Sequence, residues 1–123
     1  GDREGALKHF KKAVTLSPRE PEFMNNLGFT YEDSREYEKA IDCYLNTLAR
    51  DPARSVAWYN MACSKALTGK KDHAVMCFYN YMRFAPSEAK AEEAVKYLAK
   101  NARSDKVRAA AKEALKNYRK GDL

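Results

Sequence analysis

The sequence predicts an all-α chain in which antiparallel helix pairs stack into an α-solenoid, and three observations predict it. One stretch, Phe23 to Pro52, reads as helical apolar spacing, a turn, more helical spacing and then Asp51-Pro52. Its later landmarks, Ala40, Tyr44 and Pro52, recur 34 residues earlier as Ala6, Phe10 and Pro18 and 34 residues later as Ala74, Phe78 and Pro86. Finally, 45% hydrophobic with 33% charged residues is the balance of an ordered, helix-rich chain rather than of a disordered one. Helix pairs repeated at a fixed interval cannot bury their apolar faces alone. Stability is then a sum over units and the interfaces between them, and about three units are the usual minimum. Residues 1–123 are read as a single domain, with two complete units at 21–54 and 55–88, a second-helix fragment at 1–20 and capping helices at 89–123.

Gly1 to Leu16 carries Ala6, Leu7, Phe10, Ala13 and Val14 in one helical stripe. Ser17-Pro18-Arg19-Glu20-Pro21 ends it, because proline disfavours helix in the residue before it and is tolerated in the first turn of the helix that follows. Glu22 to Asp33 and Tyr37 to Arg50 form the next pair. Gly28 and Ala40 are small enough to mark its close approach, with Leu27, Tyr31, Ile41 and Tyr44 filling the space around them. Ser55 to Leu67 and Lys70 to Phe84 repeat the arrangement, with Gly69 at a corner that needs a left-handed residue and Ala74, Val75, Phe78, Tyr81 and Met82 inward.

Ser87 to Asn101 continues with Ala91, Ala94, Val95 and Leu98 inward, and Ser104 to Arg119 with Val107, Ala111, Ala114, Leu115 and Tyr118. Here the 34-residue interval lands on Arg108 where Ala74 stood and on Lys112 where Phe78 stood. The last helix therefore cannot pack as the repeated ones do. It reads as an end cap with a polar outer face, and Lys116, Arg119 and Lys120 sit favourably near a helix C-terminus. Residues 87–123 hold 10 of the 23 basic and 6 of the 17 acidic side chains, so the cap carries most of the net charge of +6.

This pattern resembles the tetratricopeptide repeat, whose landmarks are Trp, Leu-Gly, Tyr, Ala, Phe and Pro at set intervals. Residues 21–54 carry Leu27, Gly28, Tyr31, Ala40, Tyr44 and Pro52, with Met24 at the Trp place. Residues 55–88 supply Trp58, Ala74, Phe78 and Pro86, with Met61, Ala62 and Lys65 for Leu, Gly and Tyr. The resemblance implies a right-handed superhelix whose first helices line a concave groove for an extended peptide or a partner helix. Carried over residue by residue, it places Asn25, Asn26 and Phe29 on the groove from one unit, Tyr59, Asn60 and Cys63 from the next, and Lys90 and Tyr97 from the cap. Asn26 and Asn60 are 34 apart and fall on equivalent turns, where amides can hold a peptide backbone without reading its side chains. Phe29, Tyr59 and Tyr97 would anchor apolar groups. Lys90 with Asn60 partly matches the family's two-carboxylate clamp for acidic C-termini, but Asn25, Phe29 and Ala94 depart from it.

No catalytic constellation accompanies these features. His9 and His73 stand outside any motif, and Cys43, Cys63 and Cys77 lack metal-site spacing, so no metal or cofactor is expected and the chain is read as a non-enzyme. Unpaired cysteines fit a reducing compartment such as the cytoplasm. Glu32, Asp33, Glu36 and Glu38 are read as a solvated corner. No apolar run approaches the roughly 20 residues of a membrane span. The alternative to a protein partner is nucleic acid or another anionic surface on Lys96, Lys100, Arg103, Lys106, Arg108, Lys112 and Lys116. The sequence disfavours it, because Glu92, Glu93, Asp105 and Glu113 interrupt the basic run. The stripe of Leu7, Phe10 and Val14 is left to be covered by preceding chain or by a second copy in a homo-oligomer.

Overall fold

The computed structural model describes residues 2–120 and contains, among them, seven helices and no strand. They are α1 (Arg3–Leu16), α2 (Pro21–Asp33), α3 (Tyr37–Arg50), α4 (Ser55–Leu67), α5 (Lys71–Phe84), α6 (Glu88–Asn101) and α7 (Asp105–Lys120). Gly1 and the side chain of Lys120, both used in the sequence reading, lie outside the described residues. Every helix begins and ends within two residues of its expected bounds. Pro21 opens α2 in its first turn, where its missing N–H costs no helical hydrogen bond.

The two helix pairs α2–α3 and α4–α5 close through the same turn. The N–H of Glu36 bonds the carbonyl of Tyr31 at 2.8 Å, and that of Lys70 bonds Lys65 at 2.9 Å, the six-residue bond that ends a helix on a left-handed residue. Gly69 takes that conformation at φ 81°, while its counterpart 34 residues earlier is Arg35 at φ 64°. A side chain in this region is strained, so the first pair holds its corner at a cost that the second avoids.

Repetition extends to the core. Ala40 and Ala74 are both fully buried, as are Tyr44 and Phe78, and the helices meet through them. Gly28 sits closer still. A Cβ added there would lie 2.7 Å from Cε1 of Tyr44 and 3.0 Å from Cβ of Cys43, so the tightest partners of Gly28 are these two residues on α3. Each pair then stacks on the next, with α3 against α4 and α2 touching α4. At the other end α1 packs on α2 through its half-buried stripe of Ala6, Leu7, Phe10, Ala13 and Val14, and no residue of α1 is fully buried.

The last two helices depart from this order. α7 packs on α5 and reaches α4, whereas α3 makes no approach to α5, and α6 touches α5 and α7 but not α4. Sequence accounts for the difference. Lys112, where the interval would place a buried aromatic, is exposed, and α7 instead buries Val107, Ala110, Ala111, Ala114 and Leu115. A face with three alanines among its five buried residues packs on α5, with Tyr118 and Tyr79 edge to face at 5.6 Å. Ser87 caps α6 by accepting the N–H of Lys90, and Ser104 caps α7 by accepting those of Lys106 and Val107.

Two substitutions probe these points by thermal or denaturant unfolding. Gly28→Ala should destabilise by about 1–3 kcal/mol, because overpacking against the Tyr44 ring outweighs the gain in helix propensity. Arg35→Gly should stabilise by about 1 kcal/mol by removing the left-handed strain.

Candidate partner-binding face

Residues at spacing i, i+4 and i+7 share one face of a helix. On α2 this rule aligns Asn25, Phe29 and Glu32, and on α4 it aligns Tyr59 and Cys63, with Asn26 and Asn60 beside each stripe. Phe29 is 55% exposed although it is apolar, and Asn26 is half-buried. Asn25 is only 9% exposed, and its side-chain Oδ1 is buried with no hydrogen-bond partner among the described residues. Asn60 is 8% exposed. No side-chain hydrogen bond within the described residues involves the amide of Asn26 or of Asn60, so neither locks the helix packing by such a bond.

The aromatic residues differ in freedom. Tyr59 is half-buried and held edge to face against Tyr81 at 5.0 Å and Phe78 at 6.1 Å, which fixes its ring. Tyr97 on α6 is 66% exposed, and Lys90 on the same helix is exposed. The backbones of α6 and α4 do not approach each other, yet Tyr97 lies near enough to Tyr59 to contribute to its raised pKa. Burial is the larger cause and pushes the Tyr59 phenol up to about 12.

Glu32 was expected in a solvated corner with Asp33, Glu36 and Glu38. The structure turns it inward instead. Its Oε1 accepts hydrogen bonds from the Tyr44 hydroxyl at 3.0 Å and the Ser64 hydroxyl at 2.8 Å, joining α2, α3 and α4 at one oxygen. The carboxylate has no ion-pair partner among the described residues, and Oε2 accepts no bond from them. Burial raises its carboxyl above the ordinary value of 4.5; the two hydroxyl donors oppose this and the charge of Asp33 adds to it. The sequence did hold a signal: the equivalent position one unit later is Ala66, an apolar inward residue that is 1% exposed.

The thiols offer no nucleophile. Burial pushes Cys43 and Cys77 up to about 11 and Cys63 to about 12, so all three stay protonated at neutral pH. Among the described residues no cluster of His, Cys, Asp and Glu could hold a metal, and no helix is long and apolar enough to cross a membrane.

Paired helices at a fixed interval, with amides and aromatic rings along one face, define a helical-repeat scaffold. The chain belongs to the tetratricopeptide-repeat family: residues 21–54 match the sequence model described as Tetratricopeptide repeat. Over 88 residues it is 34% identical to Protein bimA of Emericella nidulans, covering 72% of this chain and 11% of that protein. The peroxisomal targeting signal receptor of Kluyveromyces lactis is 25% identical over 84 residues, covering 68% of this chain and 15% of the receptor. Anaphase-promoting complex subunit 3 of Schizosaccharomyces pombe is 28% identical over 89 residues, covering 72% and 13%. The chain therefore spans a small part of the length of these relatives. A crystal structure of MamA shares the fold, with a TM-score of 0.70 at 24% identity over 98% of this chain and 71% of that one.

The direction of the Glu32 shift makes a prediction. A carboxyl raised in the folded state contributes stability below its unfolded value, and that contribution is lost as pH rises through the folded value. Glu32→Gln keeps an acceptor for both hydroxyls and removes the charge. Its melting temperature should exceed that of the wild type near neutral pH, and the difference should vanish in acid, where Glu32 is already protonated. Equal melting curves at neutral pH would contradict the burial assigned to this carboxyl.

Proposed function

We propose that this chain is a protein–protein interaction scaffold whose first helices form a groove for an extended peptide or a partner helix. Asn25, Asn26 and Phe29 line it from α2, Tyr59, Asn60 and Cys63 from α4, and Lys90 and Tyr97 from α6. The observation that carries this reading is the pair Asn26 and Asn60, two amides at equivalent turns whose side chains are bonded to nothing within the described residues. Neither amide is sealed from solvent, so a partner's backbone can take the place of the water that reaches it. Phe29 and Tyr97 expose aromatic surface, on which a partner's apolar groups would gain burial. Two of the relatives point the same way by name, one a receptor for a targeting signal and one a subunit of a complex. The chain is assigned binding and no catalysis.

The basic cap supports a second reading less well. Lys96, Lys100, Arg108 and Lys112 border a shallow concavity of about 400 Å³ beside Ala99 and Leu115. However, Lys96 already pairs with Glu92 and Glu93, Arg119 with Glu92, and Arg108 with Asp105. None of the residues lining that concavity is aromatic, so nothing there stacks on a base.

A pull-down from native lysate with the wild type beside an Asn26→Ala, Asn60→Ala double variant tests the groove. Partners lost from the variant support it, and partners retained equally by both remove the asparagines from the surface. For a purified partner peptide, Asn60→Ala should weaken binding by about 1–3 kcal/mol, read by calorimetry.

A further inference from the structure

We propose that the groove binds a cationic side chain of its partner, a lysine or arginine, at Glu32 between α2 and α4. The proposal rests on the groove reading above and specifies the chemistry of what lies in it. Three observations at Glu32 support it. Glu32 is a half-buried carboxylate with no cation of its own among the described residues, although buried charges in folded proteins are ordinarily paired. Two hydroxyls hold Oε1 from α3 and α4, which fixes the group in space. Oε2 has no donor and is not among the sealed, unsatisfied atoms, so it remains open to solvent.

Two turns earlier on the same stripe, about 10 Å along the axis, Oδ1 of Asn25 is also unpartnered but is sealed from solvent, so the contact to the partner is made at Glu32 and not there. Between them stands Phe29, one turn from Glu32 and more than half exposed. An exposed aromatic face one turn from a carboxylate suits a side chain that carries a positive charge on an aliphatic stem. The stem packs on Phe29, and the charged head reaches Oε2. An acidic or neutral side chain at this step would leave the carboxylate uncompensated. An arriving cation restores the pairing that burial demands, and a pair so placed is less screened by salt than one on the surface.

The same coupling is absent one unit later. Where the first unit has Tyr44 with Glu32, the second has Phe78 with Ala66, so neither hydroxyl nor carboxylate is present there. The charge selectivity therefore belongs to the α2–α4 step alone.

The test uses the full chain and a synthetic array of acetylated, amidated peptides with every position varied, read with labelled wild type and with Glu32→Gln. Circular dichroism first establishes that the variant is folded. The expected result is that wild-type binders are enriched in lysine or arginine at one position. Replacing that residue with norleucine should weaken binding by about tenfold or more, and Glu32→Gln should lose the preference while still binding the norleucine peptide. Binders without a basic preference, or a preference that survives Glu32→Gln, would overturn the proposal and leave the groove intact. An array on which wild type binds nothing would overturn the groove reading and this one with it.

Discussion

The ring of Tyr44 is the constraint on which the first complete unit depends. It is fully buried between α2 and α3, and it fits only because Gly28 contributes no side chain at the crossing. A phenol buried there must still bond its hydroxyl, and the nearest acceptor is the carboxylate of Glu32, one turn beyond Gly28 on the same helix. That carboxylate also accepts Ser64 from α4, so a requirement inside one helix pair becomes a link to the next. In the second unit the corresponding residues are Ala62, Phe78 and Ala66, and the crossing is apolar throughout. The hydroxyl and its acceptor are present together in one unit and missing together in the other.

This link has a cost that its structural role leaves in place. A carboxylate in a half-buried site with no cation is less stable ionised than in water, and an amide would satisfy the same two hydroxyls without a charge. Stability alone therefore does not account for glutamate at this position. Alongside it, the amides of Asn26 and Asn60 make no side-chain hydrogen bond among the described residues, and Phe29 and Tyr97 leave aromatic surface exposed. Unmet polar and apolar groups on a stacked-helix fold are what a binding surface requires, because a partner can satisfy them without rearranging the scaffold.

The last two helices show how a departure from the repeat pattern changes the packing. Once Lys112 replaces the buried aromatic, the last helix cannot enter the crossing that Tyr44 and Phe78 occupy. It presents Ala110, Ala111 and Ala114 instead and lies along α5 as far as α4. Two basic residues of α7 pair with neighbouring carboxylates, Arg108 with Asp105 and Arg119 with Glu92.

Helix existence, bounds and pairing were legible in the sequence because they follow from periodicity. Apolar spacing, proline stops and a 34-residue interval act over short distances and repeat, and Gly69 and Ala40 announce the corner and the crossing by their size alone. A groove register for Asn25, Asn26, Phe29, Tyr59 and Tyr97 was an expectation taken from the repeat pattern. Tertiary structure decided what those positions are worth. Asn25 is sealed while Asn26 is half-open, Tyr59 is clamped by Tyr81 and Phe78 while Tyr97 is free, and Glu32 points away from the charged corner to which its neighbours belong. Local sequence sets which face of a helix a residue occupies. Whether that face meets water, a hydroxyl or another helix depends on residues 12 and 32 positions away, such as Tyr44 and Ser64, and only the folded arrangement brings those together.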